Sequence, residues 1–133
     1  MENRDIRLKQ RFANFKKALH FLEKAILIKH PSEIERAGLV QFFELSFELS
    51  WNLMKDYLEE IGYSDLKSPR DSIKKAFEIE LISDGFSWLE ALKNRNETSH
   101  IYDEVTAEKV IFEIKNSYLP LLKNLELTLD LKV

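Results

Sequence analysis

The stretch SEIERAGLVQFFELSFELSWNLMKDYLEEIG, residues 32–62, decides the fold. It carries a complete set of helix punctuation. Ser32 stands where a cap belongs, and Glu35 three residues on completes a capping box, in which side chain and backbone satisfy each other's free N–H groups. Leu39, Phe42, Phe43, Leu45, Leu49, Leu53 and Leu58 supply packing surface as far as Glu60. Gly62 then sits where a C-terminal glycine accepts the left-handed turn that other residues resist. A helix of this length needs other helices to bury its sides.

The flanking sequence provides them. Leu8, Phe12, Phe15, Leu19, Leu22 and Ile26 recur at spacings of three and four, which predicts an amphipathic helix from about residue 4 to 29. His30-Pro31 is expected to end it, because a residue before proline avoids the helical region. Ser68-Pro69 opens a short third helix through Ile73, Ala76 and Phe77, a cap followed by proline at the first helical position. Ser83-Asp84-Gly85 breaks the chain again, and a fourth helix carries Trp88, Leu89 and Leu92. Thr106, with Glu108 near it, is read as the start of a last helix through Val110, Ile114, Tyr118, Leu121, Leu125 and Leu129. Pro120 falls inside that helix and is expected to kink or break it.

With three glycines and three prolines in 133 residues, and no stretch of period two, the chain reads as all-α. The expectation is one domain over residues 1–133, an up-and-down bundle of about five helices without internal repeats. Phe42, Phe43 and Phe47 point in different directions around their helix, so part of this apolar surface is expected to meet another chain, as in a homodimer.

Composition removes several function classes. No apolar run approaches the ~18 residues of a membrane helix, and no secretory signal opens the sequence, so a cytoplasmic protein without membrane contact is expected. Cysteine is absent, which excludes disulfides, thiolate metal sites and a cysteine nucleophile. His20 and His30 have no ligand spacing, and no glycine-rich phosphate loop is present, so neither a metal nor a cofactor is expected. A net charge of −3 argues against broad adhesion to nucleic acid, while leaving room for a local basic cleft. Arg4, Arg7, Lys9, Arg11, Lys16 and Lys17 crowd the first helix and read as a solvated face. Glu44 and Glu48, one turn apart, read as solvated or salt-bridged acids rather than a catalytic pair.

The chemistry concentrates in Lys93-Asn94-Arg95-Asn96-Glu97-Thr98-Ser99-His100-Ile101-Tyr102. A permanent cation beside a group that exchanges protons near neutral pH suits reactions at phosphate. On an ideal helix Trp88, Leu92, Arg95, Ser99 and Tyr102 share one stripe, so a core-facing stripe turns polar at Arg95. Burying that guanidinium costs heavily unless a partner or ligand meets it. Asn96 and His100 lie together, but Arg95 and His100 are five apart, about 140° around a helix. Either the helix ends near Thr98, or a second protomer supplies the matching residue across an interface. Taken singly, His100 also fits a hydrogen-bonded imidazole near a helix end, and Tyr102 a packing residue with a wet hydroxyl.

Arg95-Asn96-Glu97-Thr98-Ser99-His100-Ile101-Tyr102 resembles the Arg-x4-His-x-Tyr signature of HEPN domains, in particular the nucleotidyltransferase substrate-binding proteins or HepT-like toxins. The likeness covers most of the chain. It takes in Phe43 through Trp51, Lys55 through Leu58, Ser68-Pro69-Arg70, Phe77, Leu81-Ile82, Trp88, Leu92 and Tyr118 through Leu122. It implies a HEPN-like helical homodimer with two Arg/His sites facing one cleft, and a complex with a cognate MNT-type nucleotidyltransferase. In the toxin branch it further implies a metal-independent endoribonuclease acting on RNA, silenced when the nucleotidyltransferase adds AMP to Tyr102. Arg95 and His100 would then be catalytic, with Asn96 supporting them. The alternative is a non-catalytic substrate-binding subunit of the nucleotidyltransferase.

Overall fold

The computed structural model describes residues 2–97 and 104–133. It is an all-helical bundle: α1 (Glu2–Ile26), α2 (Glu33–Glu60), α3 (Pro69–Glu78), α4 (Gly85–Glu97), α5 (Glu104–Glu113) and α6 (Leu119–Lys132), with a π-helical turn, Ile114–Tyr118, between the last two. Because α5, the π turn and α6 run on without a break, they form one rod, and the described residues make five.

Helix α2 is framed as its sequence specifies. The Ser32 hydroxyl accepts from the Glu35 backbone N–H at 3.1 Å, and the Glu35 carboxylate accepts from the Ser32 N–H at 2.9 Å. At the other end Gly62 takes φ +109°, which lets its N–H reach the Glu59 carbonyl and the Tyr63 N–H reach that of Leu58. Those two bonds use carbonyls that the helix leaves open. Ser68 caps α3 through the Asp71 N–H at 3.1 Å.

Two boundaries differ from expectation. Helix α1 ends at Ile26, several residues before Pro31. Leu27 and Ile28 donate back only three residues, to Lys24 and Ala25, tightening the last turn. Leu27 is largely exposed, so burial gives no reason to extend the helix, and His30 at φ +53° reverses the chain. The last rod is already helical at Glu104, before Thr106, and Pro120 does not break it. Instead the turn before the proline widens, with the Leu119 N–H reaching back five residues to the Ile114 carbonyl. A π turn accommodates the register change while the dihedrals stay helical on both sides.

Helix α2 lies at the centre and packs on two sides. Antiparallel to it, α1 is pinned near both ends, by Arg11 to Asp56 at 2.6 Å and by Phe21 stacked on Phe42 with ring centres 5.4 Å apart. On the other side Phe43 stacks on Tyr118 at 5.5 Å, and Phe47 meets Trp88 at 5.7 Å. The three phenylalanines that diverge around α2 thus each meet an aromatic ring of the same chain, while Phe42 remains only half-buried. Helix α6 closes the bundle against α1 through Lys16–Asp130 at 2.5 Å and Lys123–Glu23 at 3.2 Å. No helix of the described residues is long and apolar enough to cross a membrane.

Candidate functional site

Helix α4 positions the site, and its first turn fixes where it begins. The Asp84 carboxylate accepts from the Ser87 backbone N–H at 3.0 Å and from its hydroxyl at 2.7 Å. These two bonds hold its carboxyl below the usual carboxylate range. Gly85 follows because space requires it: a Cβ there would stand 2.9 Å from Cγ of Phe77. Phe77 therefore crosses the α3–α4 corner and is half exposed, not a core residue as its place in the sequence suggested.

Along α4 the stripe changes character as expected. Trp88 is 2 % exposed, Leu92 is half-buried, and Arg95 emerges with its side chain about one-third exposed. Its Nη2 lies 3.8 Å from Oε2 of Glu48 on α2. Glu48 is thus a salt-bridged acid, and it directs the guanidinium along the surface where α2 and α4 meet. An ion pair this open adds little stability, on the order of 0–1 kcal/mol, so its effect is orientation rather than anchoring. Asn96, the next residue, is exposed.

Asn94 points to the other side. Its amide donates to the hydroxyl of Tyr118, at the end of the π turn. Tyr118 is only 4 % exposed, and burial raises its phenol above the ordinary value more than the Asn94 bond lowers it. The pair forms part of the wall of a surface cleft of about 870 Å³ between α4 and α5. Ser87 and Glu90 line it from α4, and Val105, Phe112 and Glu113 from α5. Glu108 and Lys109 complete the charge, three carboxylates against one ammonium. Arg95 is not in its lining. The cleft repels phosphate, while the Arg95 guanidinium one position along α4 attracts it.

The remaining site residues, His100 and Tyr102, lie outside the described residues. Helix α4 is described as far as Glu97, so the choice between a helix end and a second protomer also falls on residues outside the description. Two members of the basic cluster of α1 have acidic partners. Arg11 pairs with Asp56, and Lys16 pairs with Asp130 while standing 4.4 Å from the Phe12 ring centre. Sequence reasoning missed Glu48 as the neighbour of Arg95, and missed Asn94 with Tyr118. In each case the contact joins helices far apart in the chain, and spacing along one helix cannot show it.

Known proteins share this fold. A family model described as nucleotidyltransferase substrate binding protein like matches residues 10–130. A probable ribonuclease HepT of Haemophilus influenzae is 35% identical over 82 residues. That match covers 59% of this chain and 56% of the relative, so the chain spans a little over half of the relative's length. A crystal structure of a Thermus thermophilus protein superposes with a TM-score of 0.76 at 29% identity, covering 84% of this chain and 94% of that one. A second structure, from Haemophilus influenzae, is described as the fold of a substrate binding domain of a nucleotidyltransferase. It superposes with a TM-score of 0.65 at 26% identity, covering 92% and 96% of the two chains.

Proposed function

The chain belongs to the nucleotidyltransferase substrate binding protein-like family, and on that premise we propose that it is a HepT-like endoribonuclease. Its site is Arg95 and His100, with Asn96 in support. The observation that carries the reading is the Arg95 guanidinium, 3.8 Å from Glu48 at the surface end of an otherwise apolar stripe and five residues before a histidine. The printed name of the Haemophilus relative, a probable ribonuclease, points the same way.

The chemistry requires no metal. An imidazole removes the proton from a ribose 2′-hydroxyl, and the 2′-oxygen attacks the adjacent phosphorus. The bond from phosphorus to the 5′-oxygen breaks, and a proton delivered by a second imidazole completes the leaving alcohol. Arg95 braces the crowded phosphate by paired, charge-assisted hydrogen bonds. Because Arg95 and His100 diverge by about 140° on a continuous helix, the proposal places them in a homodimer, where each protomer faces the other across one cleft. A cognate nucleotidyltransferase restrains the enzyme by transferring AMP from ATP to the Tyr102 hydroxyl, which loses its proton as pyrophosphate leaves, and the AMP brings negative charge and bulk two residues from His100.

Expression of the wild type is expected to slow growth and fragment cellular RNA, and expression of His100→Ala to do neither. Intact RNA under both would sink the reading. Incubation with the cognate nucleotidyltransferase and ATP is expected to raise the mass by one AMP, and Tyr102→Phe to abolish the gain. A second reading, a non-catalytic subunit that presents substrate to the nucleotidyltransferase, is favoured by the description of the Haemophilus structure. It is expected to leave RNA intact while still binding the nucleotidyltransferase.

A further inference from the structure

The cleft between α4 and α5 has a composition that the phosphate chemistry at Arg95 does not use. Its volume of about 870 Å³ falls within the ~300–1,000 Å³ of small-molecule sites. Phe112, one of its lining residues, is 64% exposed, a large apolar ring left in water. The Asn94 amide and the buried Tyr118 hydroxyl, joined by a hydrogen bond, also line the cleft, as do the carboxylates of Glu90 and Glu113.

These groups select against one ligand class and for another. Carboxylates repel phosphate but accept hydrogen bonds from amino groups. An exposed aromatic ring offers a stacking face, which every nucleobase can use. Neutral donors and acceptors at the wall suit the polar edge of a base. We infer that this cleft is a nucleobase site, which takes an unstacked adenine, cytosine or guanine from a single RNA strand. Uracil is disfavoured, since it has carbonyl oxygens where the others carry an exocyclic amine and would set them against the carboxylates.

The inference deepens the ribonuclease reading and rests on it for its biological meaning. Asn94 and Arg95 are consecutive, so their side chains leave α4 about 100° apart. A base inserted beside Asn94 would leave its phosphodiester outside the acidic cleft, on the side where Arg95 lies. The repulsion inside and the attraction outside then orient the strand, base inward and phosphate outward. The same cleft gives the enzyme a means of choosing where to cut, although the net charge of the chain, −3, provides no general affinity for RNA.

The test reads binding of nucleosides and does not depend on cleavage. Adenosine, cytidine and uridine are titrated separately into the isotope-labelled full chain, and backbone amide resonances are followed by NMR. Adenosine and cytidine are expected to shift Asn94, Phe112 and Glu113 saturably, and uridine to bind at least about tenfold more weakly. Phe112→Ala is expected to weaken adenosine by about tenfold, the size of one lost base–aromatic stack. Glu113→Gln is expected to narrow the gap between cytidine and uridine, with the thermal unfolding of both variants unchanged. No saturable shift with any nucleoside, equal binding of uridine, or shifts confined to other surfaces would overturn the site. The two readings fail separately. Nucleoside binding by a chain that leaves RNA intact would keep the site and remove the nuclease. His100-dependent cleavage without nucleoside binding would do the reverse.

Discussion

Arg95 shows how one side chain changes the meaning of a helix. Up to Leu92 the stripe of α4 only fills the core; at Arg95 the same direction ends in a cation steered by Glu48 at 3.8 Å. A lysine there would keep the charge but lose the planar fork on which the proposed contact to two phosphate oxygens depends, so on that proposal Arg95→Lys is not conservative. Gly85 illustrates the opposite case, a residue set by what it lacks. Gly85→Ala is expected to cost about 1–3 kcal/mol, because the new methyl meets Phe77 at 2.9 Å and the helix start must shift. Thermal or denaturant unfolding measures this directly. In a Phe77→Ala background the penalty of Gly85→Ala is expected to shrink, since the obstacle is gone; an unchanged penalty would place the strain elsewhere.

At the scale of elements, the joint between α4 and the π turn is the informative one. Asn94 and Tyr118 meet there across 24 positions of sequence. Tyr118→Phe leaves the Asn94 amide without its hydroxyl partner and is expected to cost about 1–2 kcal/mol at neutral pH. Burial holds the Tyr118 phenol above its ordinary 10.0. The stability it contributes is therefore complete below about pH 10 and lost as pH rises through the raised value. Tyr118→Phe is expected to unfold less steeply in that alkaline range than the wild type, and parallel curves would contradict the assignment. The helix ends of this bundle were legible because caps are local: Ser32 with Glu35, Gly62, and Ser68 before Pro69 all act within a few residues. Pro120 was read less well. Proline forbids one hydrogen bond, but whether the chain breaks, kinks or widens depends on the packing of Ile114 and Tyr118, which are buried by other helices.

For the molecule as a whole, the all-helical class followed from periodicity and the scarcity of glycine and proline. The centrality of α2 did not, because a helix apolar on several sides can be wrapped by its own chain or by another. Here Phe21, Tyr118 and Trp88 do the wrapping. The candidate site was legible as a set of residue types, and the resemblance gave those residues roles. Its tertiary half, Glu48 and the acidic cleft, waited on the fold. If two protomers build each site, mixing Arg95→Ala with His100→Ala protomers is expected to recover activity that neither has alone. The most direct measurement of the central claim is RNA cleavage by the purified protein in the presence of EDTA. The wild type is expected to cut, and Arg95→Ala and His100→Ala to lose cleavage by at least about a hundredfold, the order that a transition-state hydrogen-bond donor and a proton-transfer group respectively supply, while unfolding at the same temperature. Intact RNA with the wild type, or undiminished cleavage by His100→Ala, would contradict the account.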